Sequence, residues 1–226
     1  MIGVTIASPK YAEIAEEARS RFSRYTGLNC LVFHTQHESN YTVKLQLWKL
    51  FKETNQSFCF FDCDNFCVRA CDLSEFENKT EFIAVKDSDG HKLNPSNFVD
   101  AFSYKDCVTH NLDPNRYFNG GFFIANSKYH QKVFETALGY IRNPKIHFDD
   151  FGEQSALNLA VRDTGTELKL ISVDYNAVVG GSVDMIKDVC PNPYFIHAAG
   201  MELKYKIDHL KYQEKRIQES IHLFDN

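Results

Sequence analysis

The sequence predicts a single α/β domain with a mostly parallel central sheet flanked by helices. Three observations carry that expectation. Short apolar runs of strand type alternate along the chain with segments of helical periodicity, the order that builds parallel sheets through crossover helices. One such run, Ser57-Phe58-Cys59-Phe60-Phe61, has no polar face, which suits a strand covered on both sides. The 226 residues fit one large domain or two small ones. Neither an internal repeat nor a low-complexity linker divides them, so one domain is the simpler reading.

Residues 2–7 predict the first strand. Tyr11 to Tyr25 follows as an amphipathic helix with Ala12, Ala15, Ala18 and Phe22 on one face, closed by Gly27. Cys30-Leu31-Val32-Phe33 predicts the second strand. Val43 to Phe51 reads as a short helix that turns Leu47, Leu50 and Phe51 inward. Ser57 to Phe61 and Phe82 to Val85 are strands. Residues 86–117 carry Asp-Gly, Asn-Pro and Asp-Pro breakers and receive no assignment. Phe122-Phe123-Ile124-Ala125 resumes the sheet. Ser127 can cap a helix from Lys128 to Ile141 that buries Val133, Phe134, Ala137 and Leu138. A further helix spans Glu153 to Arg162, strands lie near Leu168–Val173 and Tyr194–His197, and a charged helix runs from Ile207 to Leu223.

Composition narrows the function classes. Hydrophobic residues are 43% and charged residues 24% of the chain, the balance of a soluble globular protein. A net charge of -5 argues against a protein built to coat nucleic acid or an acidic membrane. No secretory signal is visible, and the apolar stretches fall far short of the ~20 residues that span a bilayer. With an odd number of cysteines, seven, the expectation is thiols in a reducing, cytoplasmic compartment. A bacterial or viral enzyme fits a chain of this kind. The Asn-x-Ser/Thr triplets at Asn40, Asn55 and Asn78 read as chance in that setting. Cys59, Cys63, Cys67 and Cys71 recur at intervals of four. Since Cys59 lies within a strand and Cys63 between two aspartates, thiols fit them better than a zinc site.

Phe60-Phe61-Asp62-Cys63-Asp64 places two carboxylates beyond the end of a buried strand, where open α/β sheets bind ligands. Two hard oxygen donors at this spacing can hold Mg²⁺ or Mn²⁺ and leave other positions for phosphate oxygens. Two other accounts exist. Both acids can simply end a strand in water. A haloacid-dehalogenase-type phosphatase also sets Asp-x-Asp after an apolar strand, with the first Asp as nucleophile. That account suffers from Asn65-Phe66 standing where Thr or Val is usual.

Three further motifs each carry a functional and a structural account. Phe118-Asn119-Gly120-Gly121 offers an amide and close backbone approach to a ligand, or an Asn-Gly turn. Asp150 with Glu153 fits a capping box, while Glu153 and Gln154 also offer a carboxylate and an amide to a sugar. His197, after Pro193-Tyr194-Phe195-Ile196, is a third metal ligand or a satisfied structural histidine. The small residues after it leave room for a phosphate, whose charge Lys204 or Lys206 can meet.

Taken together, these segments resemble the glycogenin and bacterial lipopolysaccharide galactosyltransferase group of retaining, GT-A-fold glycosyltransferases, from about residue 2 to residue 206. Ala7-Ser8-Pro9-Lys10-Tyr11-Ala12 is similar to that group's first βα loop, which implies that Tyr11 stacks on uracil with Ala7 and Ser8 beside the nucleoside. Thr42 to Trp48 resembles the helix before the metal motif, placing Lys44 near the donor sugar. Asn119, Gly120 and Gly121 resemble its sugar-pocket motif. Glu153-Gln154-Ser155-Ala156-Leu157-Asn158 resembles Asp-Gln-x-x-Leu-Asn, whose acid and amide flank the reacting sugar. Ile196-His197-Ala198-Ala199-Gly200 resembles its His-x-x-Gly, with His197 as third metal ligand.

The chain departs from that pattern in places. Glu153 stands where Asp is usual, and Leu203 where a Lys is usual, with Lys204 next. Asp87 matches an acid that binds the donor sugar, and the stretch after it is longer than in the group. Residues 88–117 are then an acceptor-binding lobe or a surface loop, and their length beside an active site favours the lobe.

The resemblance implies an enzyme that moves a sugar from a UDP-sugar to a glycan or other hydroxyl acceptor, with retention, using Mn²⁺ or Mg²⁺ on Asp62, Asp64 and His197. Neither a nucleic-acid partner nor an integral membrane segment is expected. The alternatives are the phosphatase with Asp62 as nucleophile, and an idle sugar-nucleotide-binding protein on the same fold.

Overall fold

The computed structural model describes residues 1–36, 41–87, 102–149, 152–180, 183–184, 186 and 190–224. The first elements follow the periodicity closely. They are β1 (Ile2–Ala7), a 3-10 turn at Pro9–Tyr11, α1 (Ala12–Thr26) and β2 (Cys30–His34). α1 stops where predicted, because Gly27 turns left-handed at φ 71° and donates its N–H to Ser23 O. β2 runs parallel to β1, from Gly3 opposite Cys30 to Ala7 opposite His34.

The predicted helix over Val43–Phe51 divides into α2 (Tyr41–Lys44) and a 3-10 turn at Leu47–Phe51. The break resets the helical phase, so Trp48 turns inward with Leu47 and Phe51. Leu50, expected inside, is 48% exposed. β3 (Ser57–Phe61) is buried at every residue, as its two apolar faces require. A short strand absent from the sequence reading, β4 (Asn65–Cys67), follows it.

β5 (Phe82–Lys86) leads to the segment that received no assignment, of which residues 88–101 lie outside the described residues. The described remainder contains α3 (Phe102–His110). β6 (Phe118–Asn126) starts earlier than expected and takes in the Asn-Gly-Gly segment, so these residues form a strand rather than a turn. α4 (Ser127–Arg142) is capped by Asn126 and not Ser127, the Asn126 side chain accepting from Lys128 N at 2.9 Å. Leu138 is only half-buried. α5 (Glu153–Asp163) begins after Gly152 at φ 74°; the expected cap, Asp150, lies outside the described residues. β7 (Leu168–Ile171) is shorter than predicted and passes to a 3-10 turn at Val173–Tyr175. The chain ends through β8 (Ala177–Gly180), β9 (Val183–Asp184), β10 (Phe195–His197) and α6 (Leu203–Phe224).

The strands make a six-stranded sheet in the order β2-β1-β3-β6-β5-β7 and a four-stranded sheet in the order β4-β10-β8-β9. The larger sheet is mostly parallel. β5 is parallel to β7 but antiparallel to β6. Among the described residues no helix is long and apolar enough to cross a membrane. None of the seven cysteines is in a disulfide.

The chain divides into two compact units. One gathers Ser39–Cys59 and Phe76–Ile171, together with Met1. Its core is aromatic, with Phe82 5.3 Å from Phe123 and Phe58 5.2 Å from Phe51 between ring centroids. The other gathers Ile2–Glu38, Phe60–Glu75 and Ser172–Asn226. There Phe22 of α1 stacks on Phe61 at 4.9 Å, and a Cβ at Gly3 would stand 2.5 Å from the Phe22 ring. The close approach of β1 to α1 therefore needs glycine at that place. Each ring so buried contributes about 2–3 kcal/mol of transfer free energy.

Candidate active site

The carboxylates after β3 stand on a tight turn. Asn65 N donates to Asp62 O at 2.9 Å, so the chain reverses at Asp62–Asn65 and enters β4. β4 pairs antiparallel with β10, Asn65 opposite His197, Phe66 opposite Ile196 and Cys67 opposite Phe195. Ala198 N donates to Asp64 O at 3.0 Å and extends that ladder by one bond. β8 supports β10 from its other side, with His197 opposite Val178. This register, rather than any sequence neighbourhood, brings the imidazole to the acids. His197 Nε2 lies 3.4 Å from Asp64 Oδ1 and 3.8 Å from Asp62 Oδ2.

One donor atom from each of Asp62, Asp64 and His197 falls within 4.8 Å of the others. Adjacent and opposite ligands of an octahedral cation at about 2.1 Å stand about 3–4 Å apart, so small side-chain movements suffice to fit one. Two oxygens and an imidazole nitrogen also suit Mn²⁺ or Mg²⁺ chemically. Asp62 is partly open to solvent, whereas Asp64 and His197 are buried. Cys63 adds no thiolate: burial, then the charges of Asp64 and Asp62, push its thiol well above the usual value.

Lys206 of α6 completes this cluster. Its Nζ pairs with Asp64 Oδ2 and donates to Ala198 O at 2.7 Å. Burial pushes the Asp64 carboxyl up, but the facing His197, through charge and hydrogen bond, and then Lys206 outweigh it. The group is held well below the usual carboxylate range. Lys204, the lysine expected to meet a diphosphate, is exposed and pairs with Glu202 at 3.0 Å. The signal for Lys206 was present in the sequence. It shares a helical stripe with Leu210, Gln213 and Ile217, all buried, and a lysine on a buried stripe requires a partner.

A second constellation lies in the unit that holds β5, β6 and α5. Lys44 Nζ, buried, donates to Gly120 O at 3.0 Å and to Glu153 Oε1 at 3.1 Å. Gln154 Oε1 accepts from Gly120 N at 2.7 Å, and its Nε2 donates to Asp87 Oδ2 at 2.7 Å. Asn119 Nδ2 reaches Asp87 Oδ1 at 3.5 Å, and Asn119 Oδ1 accepts from Gly121 N at 2.8 Å. A Cβ on Gly120 would stand 3.3 Å from Gln154 Cβ, so glycine admits the α5 amide to the strand. Lys44, Asp87, Asn119, Gly120, Glu153 and Gln154, far apart in sequence, thus share one hydrogen-bonded network.

Sequence reading gave no role to the residues behind this network. Asn158, one helical turn after Gln154, accepts from Phe118 N and donates to Phe118 O, both at 2.9 Å, clamping β6 to α5. Tyr117, Ser155 and Asp106 form a buried chain beside Gln154. Asp106 and Tyr117 fell in the unassigned stretch, and Ser155 stood in the Glu153–Asn158 motif as an unspecified position.

The remaining predicted residues lie in the unit of β1 and α6. Ala7, at the end of β1, accepts from Thr35 N at 2.9 Å. Ser8 is buried, and Tyr11, half-buried, has Lys10 Nζ 5.5 Å from its ring centroid. Gly200 takes φ 72° beyond β10.

No protein-family model matches the sequence, and no curated protein is similar to it in sequence. Solved structures do match in fold. One, a glycosyltransferase involved in the glycosylation of the major capsid of PBCV-1, superposes with a TM-score of 0.62 over 93% of this chain and 98% of its own, at 9% identity. At that identity the likeness is one of fold, and this chain has the Rossmann-like α/β fold of that glycosyltransferase.

Proposed function

We propose that this chain is a metal-dependent glycosyltransferase that moves a sugar from a UDP-sugar to a hydroxyl acceptor with retention at the anomeric carbon, within a single catalytic domain. The observation that carries the reading is the cluster of Asp62, Asp64 and His197 at the end of β3, in a chain whose fold is shared with a glycosyltransferase. Asp62, Asp64 and His197 would hold a divalent cation, which would supply positive charge for a departing diphosphate. Lys206, buried against Asp64, balances the charge of that carboxylate.

The same proposal gives roles to the other residues. Tyr11, with Ala7 and Ser8, holds the nucleoside; Gly200 leaves space for phosphate oxygens, with Lys204 at the rim. Asp87, Asn119, Gly120 and Gly121 hold the donor sugar, supported by Lys44. Gln154 and Glu153 stand at the anomeric carbon. Glu153 takes its place with Oε1 tied to Lys44, and an amide such as Gln154 is a weak nucleophile. Front-face attack by the acceptor is therefore the favoured route to retention, with Gln154 orienting the sugar. The stretch 88–117 binds the acceptor.

The test is a panel of UDP-sugars with and without Mn²⁺, read as UDP release and as thermal shift. Metal-dependent turnover by the wild type, lost in Asp62→Ala/Asp64→Ala, is expected; full turnover by that double variant would overturn the assignment. The anomeric configuration of the product, read by proton NMR, tests retention separately.

A further inference from the structure

Gln154 is held by groups whose polarity is fixed on two sides. A backbone N–H only donates, so Gly120 N at 2.7 Å demands the amide oxygen. A carboxylate only accepts, so Asp87 Oδ2 at 2.7 Å demands the amide nitrogen. The second proton of that nitrogen approaches the hydroxyl of Tyr117 at 3.5 Å. A hydroxyl both donates and accepts, and its direction depends on what lies behind it.

Behind Tyr117 lies Ser155, with the two hydroxyls 2.6 Å apart. Ser155 Oγ in turn bonds to Asp106 Oδ2, and Asp106 is fully buried on α3. The other oxygen of Asp106 accepts from Asp149 N at 2.6 Å. Among Asp106, Ser155 and Tyr117, the Asp106 carboxylate is the member that solely accepts, and it sets the direction of the hydroxyl protons. Ser155 gives its proton to Asp106 and accepts from Tyr117. Tyr117 gives its proton to Ser155 and turns a lone pair toward Gln154 Nε2–H.

We propose that Asp106, Ser155 and Tyr117 are positioning residues, a polarised relay that turns an acceptor toward the second Gln154 Nε2–H and so reinforces the amide orientation that Gly120 N and Asp87 set. The proposal rests on the reading of Gln154 as a donor-sugar residue. It adds that this orientation is reinforced from the buried side of α5, by residues behind the amide.

Asp106→Asn is the incisive variant, because it keeps the shape and inverts the relay. Asp149 N still demands an oxygen, so the new NH₂ faces Ser155. Ser155 must then accept from it and donate to Tyr117, and the tyrosine proton is driven toward Gln154 Nε2–H, donor against donor. The expected result is a fall in kcat of about 10- to 100-fold with KM for the UDP-sugar unchanged. Adding Tyr117→Phe removes the opposing hydroxyl, so Asp106→Asn/Tyr117→Phe is expected to turn over faster than Asp106→Asn alone. A merely structural role predicts instead that the two losses add.

A second readout needs no turnover. The side-chain amide resonance of Gln154, assigned by its disappearance in Gln154→Glu, is expected to shift in Asp106→Asn and to move back in the double variant. Additive losses, or an unmoved resonance, would overturn the relay. If the wild type turns over no UDP-sugar, the functional reading fails, and the resonance alone decides the relay.

Discussion

His197 Nε2 lies 3.4 Å from Asp64 Oδ1 because β10 pairs with β4 in the register that sets His197 opposite Asn65. A backbone ladder thus builds the cluster, and its side chains are positioned before any ligand arrives. If the cluster binds Mn²⁺, the cation stabilises the folded chain by mass action, about 2.7 kcal/mol at a hundredfold excess over Kd. For a chain of this size that corresponds to a rise in Tm of about 5–10 °C. Differential scanning fluorimetry should show this rise in the wild type and none in His197→Ala or Asp64→Ala.

Lys206 and a cation compete for the same carboxylate. Lys206→Met leaves Asp64 buried beside His197 without its lysine, which is expected to cost about 3–5 kcal/mol in the absence of metal. A divalent cation can replace the missing charge. The Mn²⁺-induced rise in Tm should therefore be larger in Lys206→Met than in the wild type. An equal or smaller rise would show that Lys206 does not oppose metal binding.

Lys44 and Glu153 form a buried pair, their side chains 6% and 4% exposed. Removing either alone strands a charge, so Lys44→Met and Glu153→Leu should each lose about 3–5 kcal/mol in urea unfolding. The double variant should recover most of that loss, because apolar groups of similar size leave neither charge of the pair stranded. Its turnover should stay low if the pair serves the sugar, and recovery of both stability and turnover would assign it to packing alone.

Acid stability is expected to depend on His130. Its Nδ1 accepts from Asn126 N at 2.8 Å and its Nε2 faces Thr80 O at 3.0 Å, an arrangement that needs the neutral ring. Burial is the leading cause that lowers its value below the ordinary 6.5, outweighing the Thr80 and Asn126 contacts and the charge of Glu81, which raise it. The unfolded chain therefore takes up this proton before the folded one does. The contribution is complete above pH ~6.5 and is lost as pH falls from there toward the folded value. Stability measured between pH 7.5 and 5.5 should fall less steeply in His130→Gln than in the wild type. Parallel slopes would exclude His130 as the group responsible.

The Gly120 backbone has a narrower tolerance. Gly120→Ala brings a methyl to 3.3 Å from Gln154 Cβ, which requires a few tenths of an ångström of movement and about 1–3 kcal/mol. Displacement of Gln154 should reduce kcat by more than the stability loss suggests. A variant that folds less well yet keeps its kcat would show that the amide is not held to that tolerance.

The sequence alone determined the order of the longer strands and helices, though not β4, α3, β8 or β9, since apolar periodicity reports which faces are buried regardless of what covers them. It also singled out Asp62 and Asp64, although a strand end in water or a phosphatase nucleophile accounted for the two acids as well until His197 was read with them. Gln154, Asn119, Asp87 and Lys44 stood out through an ordered resemblance, although nothing local linked them. Only the tertiary structure decided how such residues meet. The helical break before Leu47 reset a face and exposed Leu50. The stripe of α6 carried Lys206, not Lys204, to Asp64. The chain Asp106–Ser155–Tyr117 joined the predicted helix α5 to two residues of the stretch that received no assignment. The reason is physical: periodicity records one element's own buried face, whereas partner choice depends on register and approach between elements, which no local pattern encodes.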